Sequence, residues 1–180
     1  MSTEPPDEKL MADLAAGDMA ALGALVRRHQ DALVAFAARM LGRRDLAEDV
    51  AQEAFVHVHR AARRYRPEAK FTTWLYRIAA NLCRDAQRRA SRAPASLDEE
   101  TAPGRDPGPD PLEARERIER VRRAVAALPE RQRLAVTLHR YQGLSHREIA
   151  QVAECSESAV ESLLVRAYAA LRQALADLKE

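Results

Sequence analysis

Apolar residues recur at helical spacing on both sides of one long interruption, and every element they predict is a helix. A short amphipathic helix is expected over Asp7–Ala16, stopped by Gly17. Asp18 caps a second, whose apolar positions Leu22, Leu25, Val26, Leu33, Phe36, Met40 and Leu41 run to Gly42. Asp45, with Glu48 three residues on, reads as the capping box of a third helix, which must end before Pro67. After the basic loop RPEAK, Thr72 or Thr73 restarts the helix, and Phe71, Trp74, Leu75, Ile78 and Leu82 form its apolar stripe.

Periodicity vanishes over Pro94–Pro111, where PASLDEETAPGRDPGPDP holds five prolines, two glycines, five acids and one arginine. That composition suits a flexible acidic linker, with a maximum reach of roughly 60 Å at ~3.3–3.6 Å per residue. Beyond it, Leu112–Leu128 is a charged helix with Leu112, Ile118, Val121 and Val125 inward, and Pro129 opens another that stops at Gly143. Ser145 and Glu148 form a capping box for a short helix, a turn follows at Glu154–Cys155, and Ser156 or Ser158 caps a longer helix. Small Ala150 stands ten residues before Val160, a spacing that suits a helix-turn-helix, although an ordinary αα-hairpin fits the same residues. The fold expected is all-α: two small helical domains, residues 1–93 and 112–180, joined by the linker 94–111.

Charge adds what the pattern lacks. The chain nets +2, yet Arg60–Arg92 holds ten Arg/Lys against Glu68 and Asp85, a local +8. Arg77, Asn81, Arg84 and Arg88 fall on one helix face, beside a stripe containing the single tryptophan. Cations neutralise phosphates and aromatic faces stack on exposed bases, so the block suits single-stranded or opened nucleic acid; a solvated charged helix is the plainer alternative. Charged residues make up 31% and hydrophobic ones 47%, which excludes disorder throughout. The longest apolar run is about six residues, around Leu33–Ala38, far short of a membrane span. MSTEPPDEK has no apolar signal core, so a cytoplasmic protein is expected. Cys83 and Cys155 read as packing residues, and His57 and His59, two apart, make a poor metal pair. Neither a nucleophile–base arrangement nor a phosphate-binding glycine loop is present, so no enzyme, metal or cofactor is expected.

Three stretches in this order resemble the bacterial sigma-70 family, in its extracytoplasmic-function (group IV) branch. DLAEDVAQEAFVHVHR (Asp45–Arg60) is similar to the family's region 2.2. FTTWLYRIAANLCRDAQRR (Phe71–Arg89) resembles regions 2.3 and 2.4, and LPERQRLAVTLHRYQGLSHREIAQVAECSESAVESLL (Leu128–Leu164) resembles region 4. The resemblance implies a subunit that binds core RNA polymerase, directs it to a promoter, helps open the duplex, and is often held by an anti-sigma factor. It implies polymerase contacts at Asp49, Gln52 and Glu53, which by composition alone are ordinary solvated surface. It implies −10 contacts at Tyr65, Arg66, Lys70, Phe71 and Asn81, around a base extruded from the non-template strand, with Arg77, Arg84 and Arg88 toward phosphates. Asn81 both donates and accepts, as reading a Watson–Crick edge requires. Trp74 is expected in the core rather than against a base.

For the −35 element the resemblance implies contacts from Arg147, Ser156, Glu157, Ser158, Glu161, Ser162 and Arg166. Here the chain departs from the family: Glu154 takes a turn slot usually given to glycine, and Glu161 and Leu163 stand where basic residues are common. Weak, salt-sensitive −35 contacts are therefore expected, with promoter choice resting on the −10 side. In the linker, Asp98, Glu99, Glu100, Asp106 and Asp110 could mimic nucleic acid inside the polymerase, or simply form a soluble tether. Competing readings are a helix-turn-helix regulator that binds duplex DNA without polymerase, and a helical protein whose basic face takes an acidic partner.

Overall fold

A computed structural model describes residues 5–91 and 111–179, and among these every regular element is helical. The linker expectations for 94–110, including the five acids, lie outside the described residues. Eight α-helices follow in order: α1 (Asp7–Ala15), α2 (Met19–Leu41), α3 (Arg44–Ala61), α4 (Phe71–Ala90), α5 (Pro111–Ala126), α6 (Glu130–Val136), α7 (His146–Ala153) and α8 (Glu157–Ala174). A 3₁₀ turn, Ala62–Arg64, follows α3, and a π turn, Thr137–Tyr141, extends α6. Pro111, expected as the last linker residue, is the first of α5.

Local signals start and stop many of these helices. Asp18 Oδ1 accepts from the Ala20 N–H at 2.9 Å, and Gly42 ends α2 in the left-handed region at φ 73°. Both arms of the Ser145–Glu148 capping box are made, and Ser156 Oγ accepts from the Ala159 N–H at 3.2 Å. Two expected starts are corrected. The helix expected to open with an Asp45–Glu48 box begins at Arg44 with no side-chain cap, because Arg43 grips Asp45 at 2.5 Å and Arg44 takes Glu48 at 3.0 Å. α4 begins at Phe71 rather than from a threonine cap, and its first amide is satisfied by Glu8, far away in sequence.

Helices α1 to α4 pack around Leu25, Leu33, Phe36, Met40, Val58, Phe71 and Leu75, all essentially closed to solvent. Each such burial contributes about 1.5–3 kcal/mol. The second half closes around Leu134, Val136, Leu138, Ile149, Val152, Val160 and Leu164, with α7 against α8 as the helix-turn-helix pattern requires. Ala150 is 8% exposed and Val160 fully buried, the roles their spacing gave them. The two halves touch, with α4 lying against α7, so a single apolar cluster runs through both.

Candidate nucleic-acid and polymerase interfaces

Three surfaces carry the residues singled out by sequence. On α3, Asp49, Gln52 and Glu53 are all exposed, and Val56, 44% exposed, joins them one turn on. Glu53 lies 4.0 Å from His57, a loose pair of little energetic weight. Gln52 and Val56 also line a groove of about 1820 Å³ between α2, α3 and α5, floored by Leu22, Val34 and Val121. The sequence pattern named the three polar residues but not Val56, which shares their face at helical spacing.

On α4 the side chains sort into three faces. Phe71, Leu75, Ala79 and Leu82 point into the core. Arg77, Asn81 and Arg88 form an exposed stripe, and Arg88 pairs with Asp85 one turn away. The third face meets the second half of the chain: the Tyr76 hydroxyl donates to Gln142 Oε1 at 2.5 Å, Arg84 reaches Glu130 at 3.6 Å, and Lys70 reaches Glu148 at 3.0 Å. Arg39 on α2 lies 4.0 Å over the Tyr141 ring. Lys70 and Arg84 thus hold acidic partners and must exchange them to meet phosphate. Both pairs are partly or largely exposed, so exchange costs no more than about 1 kcal/mol each.

Two residues expected at the −10 pocket are placed differently. Phe71 is 0% exposed, with Trp74 at 6.0 Å and the His29 ring at 5.4 Å, so in this structure it lies beneath the loop rather than on its surface. Tyr65 is half-buried, its ring 5.0 Å from Trp74, and its hydroxyl is sealed off without a hydrogen-bond partner. Burial first, then the carboxylates of Glu8 and Asp7, hold that hydroxyl above its ordinary pKa. Arg66 and Lys70 remain exposed on the loop, and Arg63 and Arg64 add two exposed cations just before it. Trp74 packs against the core, as expected. Burial pushes the Cys83 thiol up to about 12, which keeps it protonated and unreactive.

On α7 and α8, Arg147, Ser156, Glu157, Ser158, Glu161, Ser162 and Arg166 are all exposed. Arg147, Gln151, Glu154 and Glu157 border an open depression of about 540 Å³. Within this surface hydrogen bonds are local: Ser162 Oγ donates to the Ser158 carbonyl at 3.0 Å, and Arg166 Nε donates to the Ser162 carbonyl at 3.1 Å. Glu154 adopts φ 51°, ψ 53°, the one non-glycine residue with positive φ among those described. Hydrogen bonds from Ser145 first, then the nearby Lys70, lower the Glu148 carboxyl to about 2.

Comparison with known families fits both halves. Residues 25–93 match the model for sigma-70 region 2, and residues 118–171 match that for sigma-70, region 4. The RNA polymerase sigma-H factor of Pseudomonas aeruginosa is 33% identical over 99% of this chain and 98% of its own. The chain belongs to the sigma-70 family. The ECF RNA polymerase sigma-E factor of Escherichia coli strain K12, 32% identical over 95% of each chain, places this sigma factor in the extracytoplasmic-function branch. CnrH, solved in complex with the cytosolic domain of CnrY, superposes with a TM-score of 0.72 at 31% identity, over 97% of this chain and 99% of that one. The sigma factor RpoE of Bartonella quintana, solved with the anti-sigma factor NepR, shares the fold with a TM-score of 0.70 at 22% identity, over 85% and 95%. A match spanning both halves disfavours a free-standing helix-turn-helix regulator. Among the described residues no helix is long and apolar enough to cross a membrane, and no His, Cys, Asp and Glu cluster could hold a metal ion.

Proposed function

We propose that residues 1–93 form a unit that binds core RNA polymerase and captures the −10 element, that 94–110 link it, and that 111–180 dock on the −35 duplex. The observation that carries this reading is the exposed stripe Arg77, Asn81 and Arg88 beside the basic loop, on a helix whose opposite face is anchored in the core. Arg66, Lys70, Arg77, Arg84 and Arg88 neutralise phosphates, Asn81 reads a base edge, and Tyr65 and Phe71 form the support behind the pocket. Unstacking a base costs a few kcal/mol, which the cations and polymerase contacts must offset.

On α3, Asp49, Gln52, Glu53 and Val56 together make the polymerase contact: three polar groups for register and one apolar side chain for burial. On α7 and α8, Arg147 and Arg166 are the cations, and Ser156, Ser158 and Ser162 offer short hydrogen-bonding arms. Glu157 and Glu161 repel phosphate unless one accepts from a cytosine amino group. An anti-sigma factor that masks these faces is the expected regulator, since CnrH is solved in complex with the cytosolic domain of CnrY and the Bartonella quintana RpoE with the anti-sigma factor NepR. Work with core polymerase makes this a cytoplasmic, non-catalytic subunit.

Run-off transcription with core polymerase, with and without this protein, tests the assignment. Initiation at a promoter selected from a random library is expected only when the protein is present, and Asp49→Ala/Gln52→Ala/Glu53→Ala should lose it together with core binding. A triple variant that still co-purifies with core polymerase would remove those residues from the contact.

A further inference from the structure

Helix α1 lies outside the stretch that matches region 2, which begins at residue 25, yet its first turn reaches the start of α4 at one point and α2 at two. Glu8 Oε1 accepts from the Phe71 N–H at 3.2 Å. The first amides of a helix have no partner within it, and Lys70, at the N-cap of α4, offers no side-chain acceptor. Glu8 therefore supplies from 63 residues away the acceptor the local sequence lacks, as a carboxylate at the positive end of the helix.

Asp7 acts on the layer beneath. Its two oxygens hold Arg28 at 2.6 Å and His29 at 2.9 Å, and the His29 ring lies against Phe71. Arg28 also donates to the Pro5 carbonyl at 3.0 Å. Leu10, Met11 and Leu14 are buried, and α1 packs on both α2 and the 3₁₀ turn Ala62–Arg64. The loop Tyr65–Lys70 runs from that turn to the start of α4, so α1 fixes the chain at both of its ends. Within the loop a tight turn, Glu68 N–H to the Arg66 carbonyl at 2.8 Å, and a bond from Arg66 to the Tyr65 carbonyl add further order, beside the Tyr65 ring on Trp74 and the Lys70–Glu148 pair.

We propose that Glu8 and Asp7 are positioning residues for capture of the −10 strand: Glu8 sets where α4 begins, Asp7 sets the bed under Phe71, and together they hold the loop Tyr65–Lys70 in its receiving shape. Neither carboxylate touches DNA. This rests on the reading of Tyr65–Arg88 as the −10 surface.

Glu8→Gln keeps an acceptor oxygen for the Phe71 N–H, whereas Glu8→Ala does not. Each variant of the full chain is compared with the parent for core polymerase binding, for thermal midpoint, for exchange of the Phe71 amide, and for binding of the selected non-template −10 oligonucleotide by the holoenzyme. Glu8→Ala is expected to speed Phe71 exchange and weaken oligonucleotide binding about fivefold, the worth of a lost helix cap, with core binding unchanged. Glu8→Gln should stay within about twofold of the parent, a rescue that the same cap-sized term would predict. Oligonucleotide binding by Glu8→Ala equal to the parent would overturn the proposal, and so would equal losses in both variants, since those follow charge rather than the acceptor. If the parent holoenzyme itself failed to bind the oligonucleotide while Phe71 exchange still responded to Glu8, the −10 reading would fall and Glu8 would be left as a cap alone.

Discussion

The two helices assigned to DNA, α4 and α8, are alike in length and unlike in charge: α4 has four arginines against one acid, and α8 has two arginines against two. α4 turns Arg77, Asn81, Arg88 and Arg89 outward, and its one acid, Asp85, is spent on Arg88. α8 turns out Glu157 and Glu161 before its first cation, Arg166, and that guanidinium donates to its own helix. Its affinity for a phosphate surface would depend on a few cations working against two carboxylates, so under the proposed assignment α4 is expected to carry the larger share of promoter recognition. Packing repeats the contrast. α4 is anchored along its length by core residues on one face and the second half of the chain on another, whereas Val165 on α8 is left 62% exposed.

The comparison breaks most directly at Asn81. Asn81→Ala should cut initiation by roughly five- to 150-fold at unchanged core binding, the range of a lost base-edge contact worth about 1–3 kcal/mol, as measured by run-off transcription. Arg77→Ala and Arg88→Ala should act less sharply, weakening holoenzyme binding on all promoters and lowering the log–log salt slope by about one each. Arg166→Ala is expected to cost less than either. Glu161→Lys should go the other way, tightening binding of residues within 112–180 to duplex DNA, read by salt-dependent fluorescence anisotropy of the full chain. No gain from Glu161→Lys would mean that α8 does not lie near phosphate.

A smaller effect concerns the turn before α8. Glu154 sits in the left-handed region, which costs a side-chain-bearing residue about 1–2 kcal/mol. Glu154→Gly should raise the thermal midpoint and at once remove an acid from the surface proposed to face the duplex. The smallest effect is pH-dependent. The Glu148 carboxyl is depressed to about 2 by Ser145, so its contribution is fully present above the ordinary glutamate range and is lost as pH falls toward about 2. Ser145→Ala should shrink that acid-side loss in a pH series of thermal midpoints.

The same contrast marks what could be read from the sequence. Caps at Asp18, Ser145 and Ser156 were legible because donor and acceptor stand within three residues. The helix-turn-helix was legible because Ala150 and Val160 carry its packing in their spacing. Glu8 could not be foreseen as the cap of α4, nor Asp7 as the brace under Phe71, since those contacts join positions that only the tertiary fold brings together. Phe71 carried two readings, the apolar stripe of its helix and a place near the −10 pocket, and the structure shows the first, with the side chain buried. The Asp45–Glu48 box failed for a local reason, since Arg43 and Arg44 compete for the two carboxylates. Contact between the halves, through Tyr76–Gln142, Arg84–Glu130 and Lys70–Glu148, has no local signal at all.

Under the proposed assignment, promoter choice should rest on α4 and its loop rather than on α8. Run-off transcription by the reconstituted holoenzyme on a selected promoter, with either the −10 or the −35 element scrambled, tests it directly. Scrambling −10 should abolish initiation, while scrambling −35 should leave a clearly measurable, salt-sensitive fraction. Equal loss on both templates, or survival of the −10 scramble, would contradict it.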